Sequence, residues 1–157
     1  MTVRAVAAAL AAGVAAAALA GCGSSVSPAA AVRAWAAAGS FPESVQTLHD
    51  DASRVHDAIG AARAPLVVRT DCAELFQDAN GENTDLLPTP DAQLTGHLSA
   101  SYDEFVHASA QCVSNPGAKG TRALVDRELA QAIGELYAGL LREEAVTGHP
   151  VGVRGLT

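Results

Sequence analysis

Residues 40–62 read SFPESVQTLHDDASRVHDAIGAA. Val45, Leu48, Ala52, Val55, Ile59 and Ala62 recur at spacings of three and four, which sets them along one face of a helix with 3.6 residues per turn. Glu43, Gln46, Asp50, Asp51, Arg54 and Asp57 fall between them and read as the wet face. Ser40, with Glu43 three residues later, has the capping-box pattern: the hydroxyl takes one orphan N–H and the carboxylate another. A helix this long with one apolar stripe cannot stand alone in water. It needs partners that bury the stripe.

The flanking segments supply them. On the N-terminal side, Ser27-Pro28 reads as a cap and a first helical residue, Ala29 to Ala38 follows without a breaker, and Gly39 stops it. Val32 and Trp35 share a face of that short helix. Trp35 is expected either to pin the helix onto the domain or to sit at a membrane interface. On the C-terminal side, Pro65 marks a restart. Leu66 to Ala79 reads helical with Val68, Cys72, Leu75, Phe76 and Ala79 inward, and Asn80-Gly81 is a stop signal. Residues 81–89 read as a loop, and Thr89-Pro90-Asp91 as the cap, proline and acid of the next helix. Leu94, Leu98, Ser101, Tyr102, Phe105, Ser109 and Cys112 form its stripe, and Asn115-Pro116-Gly117 ends it. A last helix spans about Thr121 to Val146 and is lined by Val125, Leu129, Ile133, Leu136, Leu140 and Leu141. Gly134 and Gly139 would let a neighbour come close, and Gly148-His149-Pro150 stops it. No segment alternates as a strand does. The sequence therefore predicts an all-α, up-and-down bundle of four to five helices over residues 28–147, with a loose tail at 148–157.

The start of the chain reads differently. Arg4 is followed by an apolar run, Ala5 to Ala20, broken only by Gly13. It is shorter than the roughly 20 residues of a spanning helix and suits the apolar region of an export signal. Leu19-Ala20-Gly21-Cys22 resembles the bacterial lipobox, Leu-small-small-Cys, and matches it at all four positions. The resemblance implies that the Cys22 thiol is acylated, that residues 1–21 are a cleaved signal, and that residues 22–27 form a short tether to the outer face of the cell membrane. One acyl chain holds a protein only marginally, whereas two or more anchor it. Without residues 1–21 the chain has 136 residues, with nine basic against seventeen acidic side chains and a net charge of −8. Nucleic acid is not an expected partner for such a charge, and anionic headgroups would repel it, so the lipid must supply the membrane affinity.

Cys72 and Cys112 remain. In an exported chain an even pair is expected to bridge, free buried thiols or a redox pair being the alternatives; there is no Cys-x-x-Cys. The closed loop of about 40 residues would be worth about 4 kcal/mol. The helices as read conflict with the bridge. Cys72 lies about 12 Å before Asn80 and Cys112 about 33 Å beyond Pro90, a mismatch of about 20 Å in a tight hairpin. The connection is therefore expected to run back along the bundle, or the helices to cross steeply.

Few side chains suggest chemistry. His49 and His56 are seven apart on one helix, about 10.5 Å, too far for one metal without other ligands. Asp78 to Asp85, DANGENTD, is rich in oxygen ligands, but its Gly falls at the fourth place and no Glu closes a twelfth, so a helix end with a solvated loop is the reading. His49, His56, Asp78 and Asp85 are thus weak metal candidates, and no cofactor is expected. Gly117 to Thr121 has the letters of a phosphate loop in the wrong order. No His-Glu-x-x-His, Gly-x-Ser-x-Gly or Ser-x-x-Lys occurs, and no carboxylate is expected on an apolar face.

The Ala, Gly, Arg and Val bias is that of a GC-rich genome. With Trp35, Cys72, Leu87-Pro88-x-Pro90-Asp91 and the stretch from Tyr102 to Cys112, the mature part resembles in outline the small uncharacterised helical lipoproteins of actinobacteria. That resemblance implies no activity and carries no functional residue. The expected role is a non-catalytic interaction or scaffold module at the cell envelope, with an envelope protein as partner. The alternative is a small-ligand or metal-binding bundle.

Overall fold

The computed structural model describes residues 26–153; the lipobox, Cys22 and most of the tether lie outside the described residues, as do residues 154–157. Five helices follow one another: α1 (Pro28–Ala38), α2 (Phe41–Gly60), α3 (Pro65–Asp85), α4 (Ala92–Ser114) and α5 (Lys119–Thr147), with no strand among the described residues. Short connections turn α2 to α5 back and forth. Each packs on the next, α5 closes against α2, and α1 lies across α5 and α2. The core is aliphatic, with Phe41, Tyr102 and Phe105 as its largest rings.

Cross-helix pairs fix the register. Between α2 and α3, Arg54 meets Glu74. Between α4 and α5, Arg142 meets Asp91, His97 meets Glu135, the Ser101 hydroxyl donates to the Ala132 carbonyl, and Gln131 donates to Glu104. The stripe on α4 is as the spacing predicts: Leu94, Leu98, Ser101, Tyr102, Phe105, Ser109 and Cys112 are all buried. Gly139 is a close approach, since a Cβ there would come 3.0 Å from Leu98 Cδ2, whereas Gly134 faces open space.

Several expectations are corrected. Helix α3 does not stop at Asn80-Gly81; it runs to Asp85. Gly in a helix costs only about 1 kcal/mol. Here Ala79 and Leu86 are buried on either side, and the Thr84 hydroxyl donates to the Asn80 carbonyl at 3.0 Å. The extension largely resolves the disulfide conflict. Cys72 now lies about 20 Å before the end of α3 and Cys112 about 30 Å into α4, and residues 86–91 span the remaining 10 Å or so. The Cys72 and Cys112 Cα atoms are 6.0 Å apart and the bridge is closed.

Ser40 does not cap α2. It sits in the left-handed region at φ 50° with no side-chain bond to the helix, because the two-residue turn after α1 is set by Phe41, which is buried and packs at a tilt against Trp35, 4.9 Å between ring centroids. Thr89 does not cap α4 either. Asp91 does, accepting from the Leu94 N–H at 2.8 Å, while Thr89 braces the turn through Thr95 and the Asp91 carbonyl. Ala62, Phe76 and Leu141, expected inside, are exposed. The tail is not loose from residue 148: Val151 packs on the core and Val153 is buried.

Candidate functional site

Trp35 pins α1. Its indole N–H donates to the Leu86 carbonyl at 2.8 Å, and Arg33 Nη1 donates to the Thr147 carbonyl at 3.1 Å. The short helix is thus tied to the end of α3 and the end of α5, at the end of the bundle that holds the connection 86–91.

Three carboxylates stand inside the fold, contrary to the expectation that none would: Asp51, Glu128 and Glu143. Asp51 is 2% exposed. Arg54 Nη2 donates to its Oδ1 at 2.6 Å and to Glu74 Oε2 at 3.1 Å. No donor faces Asp51 Oδ2. Its neighbour is the Asp78 carboxyl, another acceptor, so a proton held on Asp51 joins the two. Burial first, and the hydrogen bond with Asp78 second, push Asp51 up to about 7 against the pull of Arg54. One turn along α3, Glu82 is raised by burial, with the Ser44 hydroxyl opposing. Burial, with Glu82 adding to it, also pushes up the Tyr102 phenol, whose hydroxyl has no partner. Asp78 thus lies on helix rather than in a loop, and faces a second carboxyl rather than a cation site. Asp85 closes the same helix.

The histidines meet carboxylates singly. His49 Nδ1 lies 3.5 Å from Asp50, His56 3.1 Å from Asp126, His97 2.9 Å from Glu135 and His107 3.2 Å from Glu128. His49 and His56 are not brought together with Asp78 and Asp85. Among the described residues, no group of three or more His, Cys, Asp or Glu side chains is arranged to hold a metal ion.

Two clefts open beside α2 and α5. One, of about 430 Å³, runs between the two helices over Ala52, Ser53, His56, Asp126, Leu129 and Ile133. The other, of about 450 Å³, lies at the end of the bundle where α2 turns into α3 and α4 into α5. Neither is lined by Asp51 or Asp78, so the carboxyl pair does not address a bound molecule there. The clefts are made by side chains from segments far apart in the sequence, and the linear spacing contains no sign of them.

The chain matches no family model, and no curated protein or solved structure is significantly similar to it. Among the described residues, no helix is long and apolar enough to cross a membrane.

Proposed function

We propose that the protein is a membrane-anchored lipoprotein of the outer face of the cell membrane, with the helical domain acting as a non-catalytic interaction module for an envelope protein. The lipobox carries this reading: Leu19-Ala20-Gly21-Cys22 stands at the end of a short apolar run that begins after a single Arg. Two features support it. Only five residues separate Cys22 from Pro28, so a lipid on Cys22 holds the bundle against the bilayer with α1 nearest. The Cys72–Cys112 bridge suits an oxidising compartment.

Radiolabelled palmitate fed to cells tests the anchor. Label is expected in the wild-type protein, which sediments with membranes, and in none of the Cys22→Ala protein, which is found in the soluble fraction. Label entering Cys22→Ala, or membrane association that survives it, would remove the reading.

A second reading, a small-ligand-binding bundle, has one observation in its favour: the 450 Å³ cleft at the end of the bundle away from α1. The metal form of that reading has no supporting geometry among the described residues.

A further inference from the structure

The end of the bundle away from α1 gathers arginines. Residues 58–70 and 105–125 make up the last turns of α2 and α4 and the first turns of α3 and α5. They hold Arg63, Arg69, Lys119 and Arg122, and Asp57, Asp71, Glu104 and Asp126 stand one position outside them. Charge at this end is therefore balanced along the chain, and the arginines bear on a ligand where they line a cleft.

The 450 Å³ cleft lies at this end and is of ordinary size for a small-molecule site. Its lining has two characters. Ala58, Ile59 and Val68 are apolar; Arg63, Arg122 and Thr121 carry the polar groups. Arg122 reaches towards α2, where its Nη2 stands 3.8 Å from the position of a Cβ on Gly60. Gly117 lies over Pro65, so the start of α3 and the turn into α5 meet at the cleft. Asp126 is 3.7 Å from Arg122 Nε, a long contact, and also faces His56 Nδ1 at 3.1 Å. Asp57 borders the adjoining groove beside Arg63, and among the described residues no carboxylate pairs with Arg63. Two arginines line this cleft, and a guanidinium suits a phosphate or carboxylate, which takes forked hydrogen bonds from Arg.

We infer that this cleft binds a small amphiphilic anion, with a phosphate or carboxylate head between Arg63 and Arg122 and an apolar body over Ile59 and Val68. The inference makes specific the small-ligand reading and is independent of the lipid on Cys22.

The test uses the chain from residue 22 carrying Cys22→Ser, which contains every residue of the core. Calorimetric titration compares octyl phosphate, octanoate, octyl glucoside and inorganic phosphate, each below its micelle concentration. Octyl phosphate and octanoate are expected to bind at one site. Octyl glucoside and inorganic phosphate should bind at least about tenfold more weakly, as loss of a charged hydrogen bond or of the apolar contact requires. The double variant Arg63→Gln/Arg122→Gln should lose octyl phosphate binding by about tenfold or more while its melting midpoint stays near that of the parent. Gly117→Leu keeps both charges and puts a side chain over Pro65, where a Cβ meets only ordinary contact at 3.9 Å; it should also block binding. Absence of binding by both anions, equal binding of octyl glucoside, or full binding by the folded double variant would overturn the inference.

Discussion

The Arg142 guanidinium grips both carboxylate oxygens of Asp91, Nε 2.9 Å from Oδ1 and Nη2 2.7 Å from Oδ2. The same carboxylate caps α4 through the Leu94 N–H. One side chain thus starts α4 and ties it to the last turns of α5. The Arg142 hydrogen bonds, helped by the Leu94 N–H, hold Asp91 down at about 2. Asp91→Ala removes cap and fork together and should cost about 1–2 kcal/mol in denaturant melts. Arg142→Met, which leaves the cap in place, should cost less. Equal losses would mean that the cap contributes nothing.

Stability should depend on pH in two opposite limbs. Asp51 titrates at about 7 in the folded chain against 3.8 in an ordinary setting, so the folded state holds its proton more tightly. Its contribution is fully present below about pH 4 and is lost as pH rises towards 7. Glu82 and Glu143, raised chiefly by burial, act in the same sense. Asp91, held down at about 2, contributes above about pH 4 and loses that contribution as pH falls through 2. Thermal melts should therefore show greater stability at pH 5 than at pH 8, and a decline below pH 3. Asp51→Asn should flatten the upper limb and raise the melting midpoint at pH 8. A midpoint that does not change between pH 5 and pH 8 in the wild type would refute the buried acid pair.

The seam of α5 can be tested by contrast. Leu136 is fully buried and Arg127 is exposed. Leu136→Ala should cost about 2–5 kcal/mol by leaving a cavity, and Arg127→Ala no more than about 0.5 kcal/mol. Glu143 is not a surface control, because it lies inside the fold. Matching shifts for Leu136→Ala and Arg127→Ala would mean that α5 is not packed.

Gly39 is a position where a side chain would have to displace a neighbour. A Cβ there would run into a methyl group of Leu86, which is itself buried under Trp35's hydrogen-bonded loop. Gly39→Ala should destabilise by about 1–3 kcal/mol, the usual cost of overpacking. Gly134→Ala, facing open space in mid-helix, should be neutral or stabilising by up to about 1 kcal/mol.

How much of this the sequence disclosed depends on the kind of signal. The stripe from Leu94 to Cys112 was fully legible, since burial follows helical spacing when one face is apolar. The buried carboxylates were legible in part. Asp51 stands three after Leu48 and four before Val55; Glu128 three after Val125 and four before Ala132; Glu143 three after Leu140. Each occupies a stripe position, and reading charge as surface concealed it. The end of α3 was not legible. Asn80-Gly81 has the chemistry of a stop, and it is overridden by the burial of Leu86 and by Trp35, fifty-one positions away along the chain. The cleft at the α2–α3 and α4–α5 turns was less visible still. Arg63 and Arg122 are brought to one cleft only by the antiparallel return of the helices, which no local spacing around either residue encodes.

Intact-mass spectrometry of the protein extracted from membranes in detergent bears most directly on an exported, bridged and lipid-held domain. The predicted mass is that of a chain beginning at Cys22, increased by its acyl groups and two hydrogens short, the two returning on reduction as Cys72 and Cys112 open. A chain that still carries residues 1–21, with Cys22 as a free thiol and no mass gained on reduction, would contradict it.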